Sequence, residues 1–170
     1  MSESQELIER LCRFISVNST GMTKEQDLIN LCSGIDQLEQ LIPEITHRFE
    51  QVGFSLVRSK FQGDRFYVLT TPGKDDRISP RMYGILGILI ATFNELGPEL
   101  EVKTVKELFH DMWGDIEQLI ALNYLQYSPQ GTTTNLIVTP IAKAALKNVL
   151  KSLELKNLFK VIGSETSGSN

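Results

Sequence analysis

Few side chains in this sequence are of the types that carry out catalysis. His47 and His110 are the only histidines, Cys12 and Cys32 are the only cysteines, and none has a second ligand at the spacing of a zinc motif. His110 precedes Asp111, but an exposed helical histidine beside an acid needs no catalytic role. Phosphate-binding glycine loops and the nucleophile elbow are also absent. We therefore expect a protein that is not an enzyme, with no catalytic residue, metal or cofactor.

Basic side chains form two clusters that could contact phosphate. The first surrounds a predicted hairpin, and the second repeats every four residues along the last predicted helix: Arg48, Arg58, Lys60 and Arg65, then Lys143, Lys147 and Lys151. The chain as a whole has 17 basic and 21 acidic residues, a net charge of −4. Carboxylates on the outward faces of the predicted third helices also oppose phosphate. A solvated helix face is thus the alternative, and we expect DNA contact to be weak or indirect.

The helix predicted from Pro80 to Leu96 is apolar on two faces. One stripe consists of large residues and the other mainly of small ones: Met82, Ile85, Leu86, Leu89, Phe93 and Leu96, then Gly84, Gly87, Ile88 and Ala91. An outer helix of a small domain needs only one such stripe. The second stripe either packs within the chain, between its own hairpin and the first domain, or receives a partner segment. The candidate partner-binding residues are Tyr83, Ile88, Ile90, Ile120 and Tyr124.

The first predicted helix is a second candidate contact surface. Its apolar residues include Leu11, Phe14 and Ile15, which recur at three- and four-residue spacing. A homodimer could form through these three residues. The alternative is that they pack into the core of the first domain.

An internal repeat defines the elements that must position these side chains. Residues 63–72 match residues 131–140 at a constant offset of 68, and each copy has a glycine followed by an apolar strand that a Thr-Pro ends. Apolar residues also precede each glycine, so each copy predicts a two-stranded hairpin.

Three helices are predicted before each hairpin. In the first copy, an amphipathic helix is followed by a second helix capped by Thr23 and by a third that begins at Pro43. The inward face of that third helix is predicted to be Ile45, Phe49 and Val52. The second copy predicts helices over Pro80 to Leu96, Val105 to Met112 and Asp115 to Asn123. The fold class is therefore mainly α with small β-hairpins (α+β), arranged as tandem winged-helix domains.

The predicted boundaries follow from this pattern. The first domain covers residues 1–73, the linker 74–79, the second domain 80–140, a helical extension 141–162 and a polar tail 163–170. The longest apolar stretch, Ile85 to Phe93, is far shorter than the roughly 20 residues that span a bilayer. With two cysteines and no apparent leader, a cytoplasmic protein without membrane contact is expected.

Several motifs resemble the kleisin-interacting tandem winged-helix (KITE) family, particularly its prokaryotic segregation and condensation (ScpB) branch. That branch has a GF-x-L-V strand, an aromatic Y-x-L-x-T-x-P strand, an L-S-P helix entry and a GLKSL ending. The corresponding segments here are Gly53-Phe54-Ser55-Leu56-Val57, Phe66-Tyr67-Val68-Leu69-Thr70-Thr71-Pro72, Ile78-Ser79-Pro80 and Leu153-Glu154-Leu155-Lys156-Asn157-Leu158. The bacterial Gly-Arg-Pro run of the second hairpin is replaced by Gln130-Gly131-Thr132-Thr133-Thr134, which favours an archaeal or divergent member.

The resemblance implies a non-enzymatic accessory subunit that binds a kleisin and, through it, an SMC ATPase, supporting chromosome condensation, segregation and cell division. Its location would be cytoplasmic and nucleoid-associated. The MAGE family, which shares the architecture and partners RING ligases, is similar and would imply a nuclear location. A DNA-binding regulator and an adaptor of a non-SMC assembly are the alternatives.

Overall fold

The computed structural model describes residues 3–152, which form seven α-helices and two three-stranded antiparallel sheets, a mixed α+β fold. The first half contains α1 Glu3–Ser16, β1 Met22–Lys24, α2 Glu25–Leu31, α3 Ile35–Gln51, β2 Ser55–Phe61 and β3 Asp64–Thr70. The second half contains α4 Pro80–Leu96, β4 Glu99–Glu101, α5 Val102–Leu108, a 3-10 turn His110–Met112, α6 Trp113–Ala121, β5 Leu125–Gln130 and β6 Thr133–Val138. Helix α7, Pro140–Ser152, follows both halves.

The order helix, strand, helix, helix, strand, strand occurs twice along the chain. The sheets have the equivalent strand orders β1-β3-β2 and β4-β6-β5. The expected hairpins are thus present, but each gains a third strand that the sequence analysis missed, because three residues are too few to show an alternating pattern. Thr23, expected to cap α2, lies in β1 opposite Tyr67, and α2 begins at Glu25 without a side-chain cap.

The register of the repeat differs by one residue from the sequence match. Both hairpins have a two-residue turn, but Gly63 is the second turn residue of the first hairpin, whereas Gly131 is the first of the second. Val68 therefore corresponds to Ile137 and not to Leu136, which the offset of 68 had paired with it. A shift of one residue exchanges the two faces of a strand, so residues paired by the offset of 68 lie on opposite faces of their sheets.

The predicted helix boundaries are confirmed where capping residues mark both ends clearly, and they are wrong where such residues are lacking. The extent of α4 is as predicted: the Ser79 hydroxyl accepts a hydrogen bond from the Met82 amide, and the helix ends before Gly97. Helix α3 begins at Ile35, so Pro43 lies inside it. Helices α5 and α6 begin three and two residues before their predicted starts.

The burial of two predicted inward residues also differs. Val52, expected on the inward face of α3, is 67% exposed just beyond the end of that helix. Leu96 is exposed at the last turn of α4. The other predicted inward residues of α3, Ile45 and Phe49, are buried as expected.

Helix α7 joins the two halves. Each half has its own apolar core, and Ala142 and Ala145 of α7 belong to the core of the second. Ala144, on another face of α7, covers Met22 and Val68 on the sheet of the first half. The segment between β3 and α4 has neither helix nor strand and overlaps the predicted linker. The end of the predicted extension and the polar tail lie outside the described residues.

Candidate partner-binding surfaces

A cleft of about 480 Å³ lies between the first hairpin and the second half of the chain. Its lining includes the buried residues Phe93, Ile137 and Val138 and the exposed residues Lys60 and Lys143. Its walls come from the end of β2, the end of α4, strand β6 and the first turns of α7. The cleft therefore depends on how the two halves are placed by α7.

The strand register explains why apolar side chains line this cleft. Leu136 points into the core of the second half, and Ile137, the next residue of β6, is buried without belonging to that core. Successive side chains of a strand point to opposite faces. Ile137 is thus placed on the face of β6 that borders the cleft.

The carboxylate in the cleft lining already has polar partners. Glu99 accepts hydrogen bonds at Oε2 from Gln130 Nε2 at 2.5 Å and from Asn135 Nδ2 at 3.2 Å. These side-chain amides, both from the second sheet, provide hydrogen bonds to the carboxylate but do not neutralise its negative charge. Two lysines and one carboxylate leave the cleft with a net positive charge.

Two of the five predicted partner-binding residues are core residues. Tyr83 and Tyr124 are buried, and Tyr124 is only 1% exposed. The Tyr124 hydroxyl donates to Asp75 Oδ2 at 2.5 Å, and the Tyr83 hydroxyl accepts from the Asp75 amide at 2.7 Å. Both tyrosines thus anchor the connecting segment to the second half, so they are not available to a partner.

Asp75 is the polar centre of this anchor. Its carboxylate receives two hydrogen bonds from Arg77 Nε and one from Arg77 Nη2, in addition to that from Tyr124. The hydrogen bonds from Arg77, followed by that from Tyr124, lower the pKa of Asp75 to about 2. Burial, which opposes ionisation, raises the pKa values of Tyr83 and Tyr124.

The remaining three predicted residues are accessible to different extents. Ile88 is 52% exposed on α4, whereas Ile90 and Ile120 are partly buried against the core of the second half. Gly84 and Ala91 are exposed on the same helix at the spacing of one face, so Gly84, Ile88 and Ala91 form an open apolar strip, called here the α4 strip. Gly87 lies under Leu146 of α7, so α7 covers only part of the second stripe.

The arginines of the first basic cluster are paired with carboxylates. Glu25 is only 6% exposed and forms ion pairs with Arg58 and with Arg65, the latter at 3.7 Å between Nη1 and Oε2. Arg48 pairs with Glu44 one turn earlier on α3, at 3.2 Å. These arginines were predicted as phosphate contacts, but the structure gives them acidic partners within the chain. No local pattern identified Glu25, because its partners come from β2 and β3.

Three of the four predicted lysines are exposed. Lys143 and Lys147 are exposed one turn apart on α7, and Lys60 is exposed at the end of β2. The side chain of Lys151 lies outside the described residues. The structure therefore brings Lys60 and Lys143 together at the cleft and leaves Lys147 on the open surface of α7.

The predicted dimer contact is mostly core. Leu11 and Ile15, one turn apart on α1, are buried in the first apolar core, and Phe14 is 39% exposed beside them. Residues four apart share a helix face, which explains why these two turn inward together. Only Phe14 remains as a surface contact.

The titratable groups of residues 3–152 form no cluster of three or more metal-ligating side chains. His110 and Asp111 are exposed, with Nδ1 and Oδ1 3.1 Å apart. Burial raises the pKa of the Cys12 and Cys32 thiols, which disfavours the reactive thiolate. None of the helices in this part of the chain is both long and apolar enough to cross a bilayer. No protein-family model and no curated protein sequence matches this chain.

Proposed function

We propose that this chain is a non-enzymatic accessory subunit of an SMC–kleisin complex, built from two winged-helix domains, that binds the kleisin. The observation that carries the proposal is the repeated unit of three helices and a β-hairpin, which is the arrangement that a tandem winged-helix protein requires. Through the kleisin the subunit would support chromosome condensation and segregation by an SMC ATPase.

The positions of the KITE-like motifs support this proposal. The Gly53–Val57 motif lies where α3 turns into β2, and the aromatic motif forms β3 and the turn after it. Ser79 and Pro80 cap and begin α4. The motifs therefore lie at the hairpin of the first repeat and at the start of the second. The Leu153 to Leu158 motif lies outside the described residues.

The α4 strip provides a surface for the kleisin. It exposes Ile88 between two small residues, Gly84 and Ala91, and small residues allow a partner helix to approach closely. Docking of an amphipathic helix in an apolar groove is a common mode of peptide recognition. We therefore place the kleisin contact on this strip.

The test is capture of partners from an extract of the source cells at about 0.5 M salt, where exposed charge contacts are strongly screened. We expect mass spectrometry to identify a kleisin and an SMC ATPase bound to the unmodified chain. Ile88→Glu should remove both while leaving the circular dichroism spectrum unchanged. Val52→Glu, an equivalent change at an exposed residue of the first half, should retain them.

Recovery of neither protein with the unmodified chain would contradict the proposal. Equal recovery with Ile88→Glu would place the kleisin contact elsewhere. A RING ligase in the captured material would identify a MAGE-type subunit instead of an ScpB-like one.

A DNA-binding regulator is the second candidate, favoured by the exposed pair Lys143 and Lys147 with Lys60 nearby across the cleft. Binding of duplex DNA should then weaken steeply as salt rises, because phosphate contacts release counterions. Lys147→Glu should lower the affinity and reduce the salt dependence, whereas Lys103→Glu on α5 should change neither as strongly.

A further inference from the structure

We propose that the cleft between the two halves binds a segment of a partner protein that carries both aliphatic side chains and carboxylates. This inference rests on the proposed function and assigns a chemistry to a second contact of the same partner. The cleft is distinct from the α4 strip, which contains no lysine and lies on the exposed side of α4.

The floor of the cleft favours aliphatic side chains. Ile137 is buried there, and Ile90 and Phe61 are partly buried beside it; Phe93 and Val138, which belong to the core of the second half, complete the apolar lining. The volume of about 480 Å³ lies within the usual range for ligand-binding pockets. Apolar side chains entering this cleft would release water from surface on both partners.

The charges of the cleft favour carboxylates on the occupant. Within residues 3–152, Lys60 and Lys143 take part in no ion pair, unlike the three arginines near the first hairpin. Glu99 is the opposing charge, but its Oε2 is held by Gln130 and Asn135. The chain as a whole is acidic, so its net charge does not attract an acidic partner. The local positive charge of the cleft favours a partner that places its carboxylates next to Lys60 and Lys143.

The same floor argues against nucleic acid as the occupant. A phosphate backbone would meet apolar side chains and the Glu99 carboxylate, and it would gain only two cationic contacts. Lys60 comes from the first half and Lys143 from α7, so an occupant that contacts both lysines also bridges the two halves.

The experiment uses the complete chain and two synthetic peptides of equal length, one alternating leucine with glutamate and one alternating leucine with lysine. Backbone amide NMR spectra locate the binding, and titration gives the affinity. We expect the acidic peptide to shift the amides of Lys60, Asn94 and Lys143, and to bind about tenfold more tightly than the basic peptide. In the double variant Lys60→Glu/Lys143→Glu this preference should reverse.

The matched control is Lys74→Glu/Lys103→Glu, which changes the net charge equally at two exposed lysines outside the cleft lining. It should keep the preference of the unmodified chain. Binding elsewhere on the molecule, equal affinity for both peptides, or loss of preference in the control would overturn the inference. Competition by duplex DNA without any binding of the acidic peptide would assign the cleft to phosphate and would also overturn it.

The partner-capture experiment separates this inference from the proposed function. If a kleisin is captured equally by the unmodified chain and by the Lys60→Glu/Lys143→Glu variant, the proposed function stands and the role of the cleft fails. If no kleisin is captured but the acidic peptide binds with the expected charge preference, the proposed function fails and the cleft chemistry stands.

Discussion

Glu25 is a buried carboxylate held by arginines from two neighbouring strands. Arg58 and Arg65 reach it from β2 and β3, and the Tyr67 hydroxyl donates to its Oε1 at 3.4 Å. A buried charge is stable only while its partners remain, because removing one of them leaves the other desolvated. The cluster therefore attaches the start of α2 to the sheet of the first half.

Removal of this carboxylate should destabilise the first half. For Glu25→Ala we expect the free energy of unfolding to fall by about 2 kcal/mol, less than for a fully buried pair because the arginines are partly exposed. Urea denaturation measures the change. The control, Glu44→Ala, removes the exposed helical pair with Arg48 and should cost about 0.5 kcal/mol or less. Equal effects of the two substitutions would show that burial of Glu25 adds nothing.

The Asp75 anchor should make stability depend on pH in the acidic range. Because hydrogen bonds from Arg77 and Tyr124 lower the folded pKa from 3.8 to about 2, the ionised carboxylate stabilises the folded chain at pH values above 3.8. The stability difference between the unmodified chain and Asp75→Asn should be constant near neutrality and should shrink as pH falls from about 4 to about 2. Denaturation at a series of pH values measures it. A difference that grows on acidification would contradict this assignment.

At the scale of elements, the two hairpin turns require left-handed backbone. Gly63 has φ +84° and the preceding Gln62 has φ +50°, which fits the two-residue turns that favour glycine. Gly84, by contrast, lies inside α4, and a Cβ there would meet no atom within 4 Å. Replacement of these two glycines by alanine should therefore change the stability of the chain in opposite directions.

We expect Gly63→Ala to destabilise the chain by about 1 kcal/mol, because alanine at positive φ is strained. Gly84→Ala should stabilise it by a similar amount, because alanine is the better helix former. Thermal unfolding of both variants measures these effects. If both substitutions shift the midpoint in the same direction, the turn geometry or the helix position of one glycine is wrong.

The elements whose ends are marked by capping or turn residues could be predicted from the sequence. Ser79, Pro80 and Gly97 mark the ends of α4, and the repeated glycines mark both hairpins. The start of α3 was missed because Pro43 is compatible with a first helical turn, although the helix begins earlier. Strands β1 and β4 exist only through pairing with β3 and β6, and such long-range pairing leaves no pattern in three residues.

The candidate surfaces were predicted only in part, because contacts between residues distant in the sequence decide which side chains are exposed. Helical spacing identified the exposed Ile88, but it also selected Tyr83, whose burial depends on contacts from other elements. The Tyr124 hydroxyl donates a hydrogen bond to the carboxylate of Asp75, 49 residues earlier in the chain, and no local sequence pattern predicts such a partner. The cleft was not predicted because α7 brings Lys60 and Lys143 together from distant parts of the sequence.

At the scale of the whole molecule, α7 makes the two halves depend on each other. Its residue Ala144 is buried against Met22 and Val68 of the first half, while Ala142 and Ala145 pack in the second. An interface of this kind couples the unfolding of the two halves. Its small residues also leave little room for a larger side chain.

A charge at Ala144 should uncouple the halves. For Ala144→Asp we expect a loss of about 2 kcal/mol or more, since the carboxylate would be buried without a partner. We also expect calorimetry to show one unfolding transition for the unmodified chain and two for this variant. Lys147→Asp, at an exposed residue of the same helix, should leave a single transition. A split in both variants would instead indicate loss of α7 itself.

The position of α7 at the end of the described chain also has a consequence for protein synthesis. The ribosome releases the first sheet long before it makes Ala144, so the apolar face at Met22 and Val68 stays uncovered while the second half is being translated. Exposed apolar surface of this kind favours aggregation of incomplete chains. A nonsense mutation before residue 144 would leave that face permanently open, so we expect such truncated products to depend on chaperones or to be degraded.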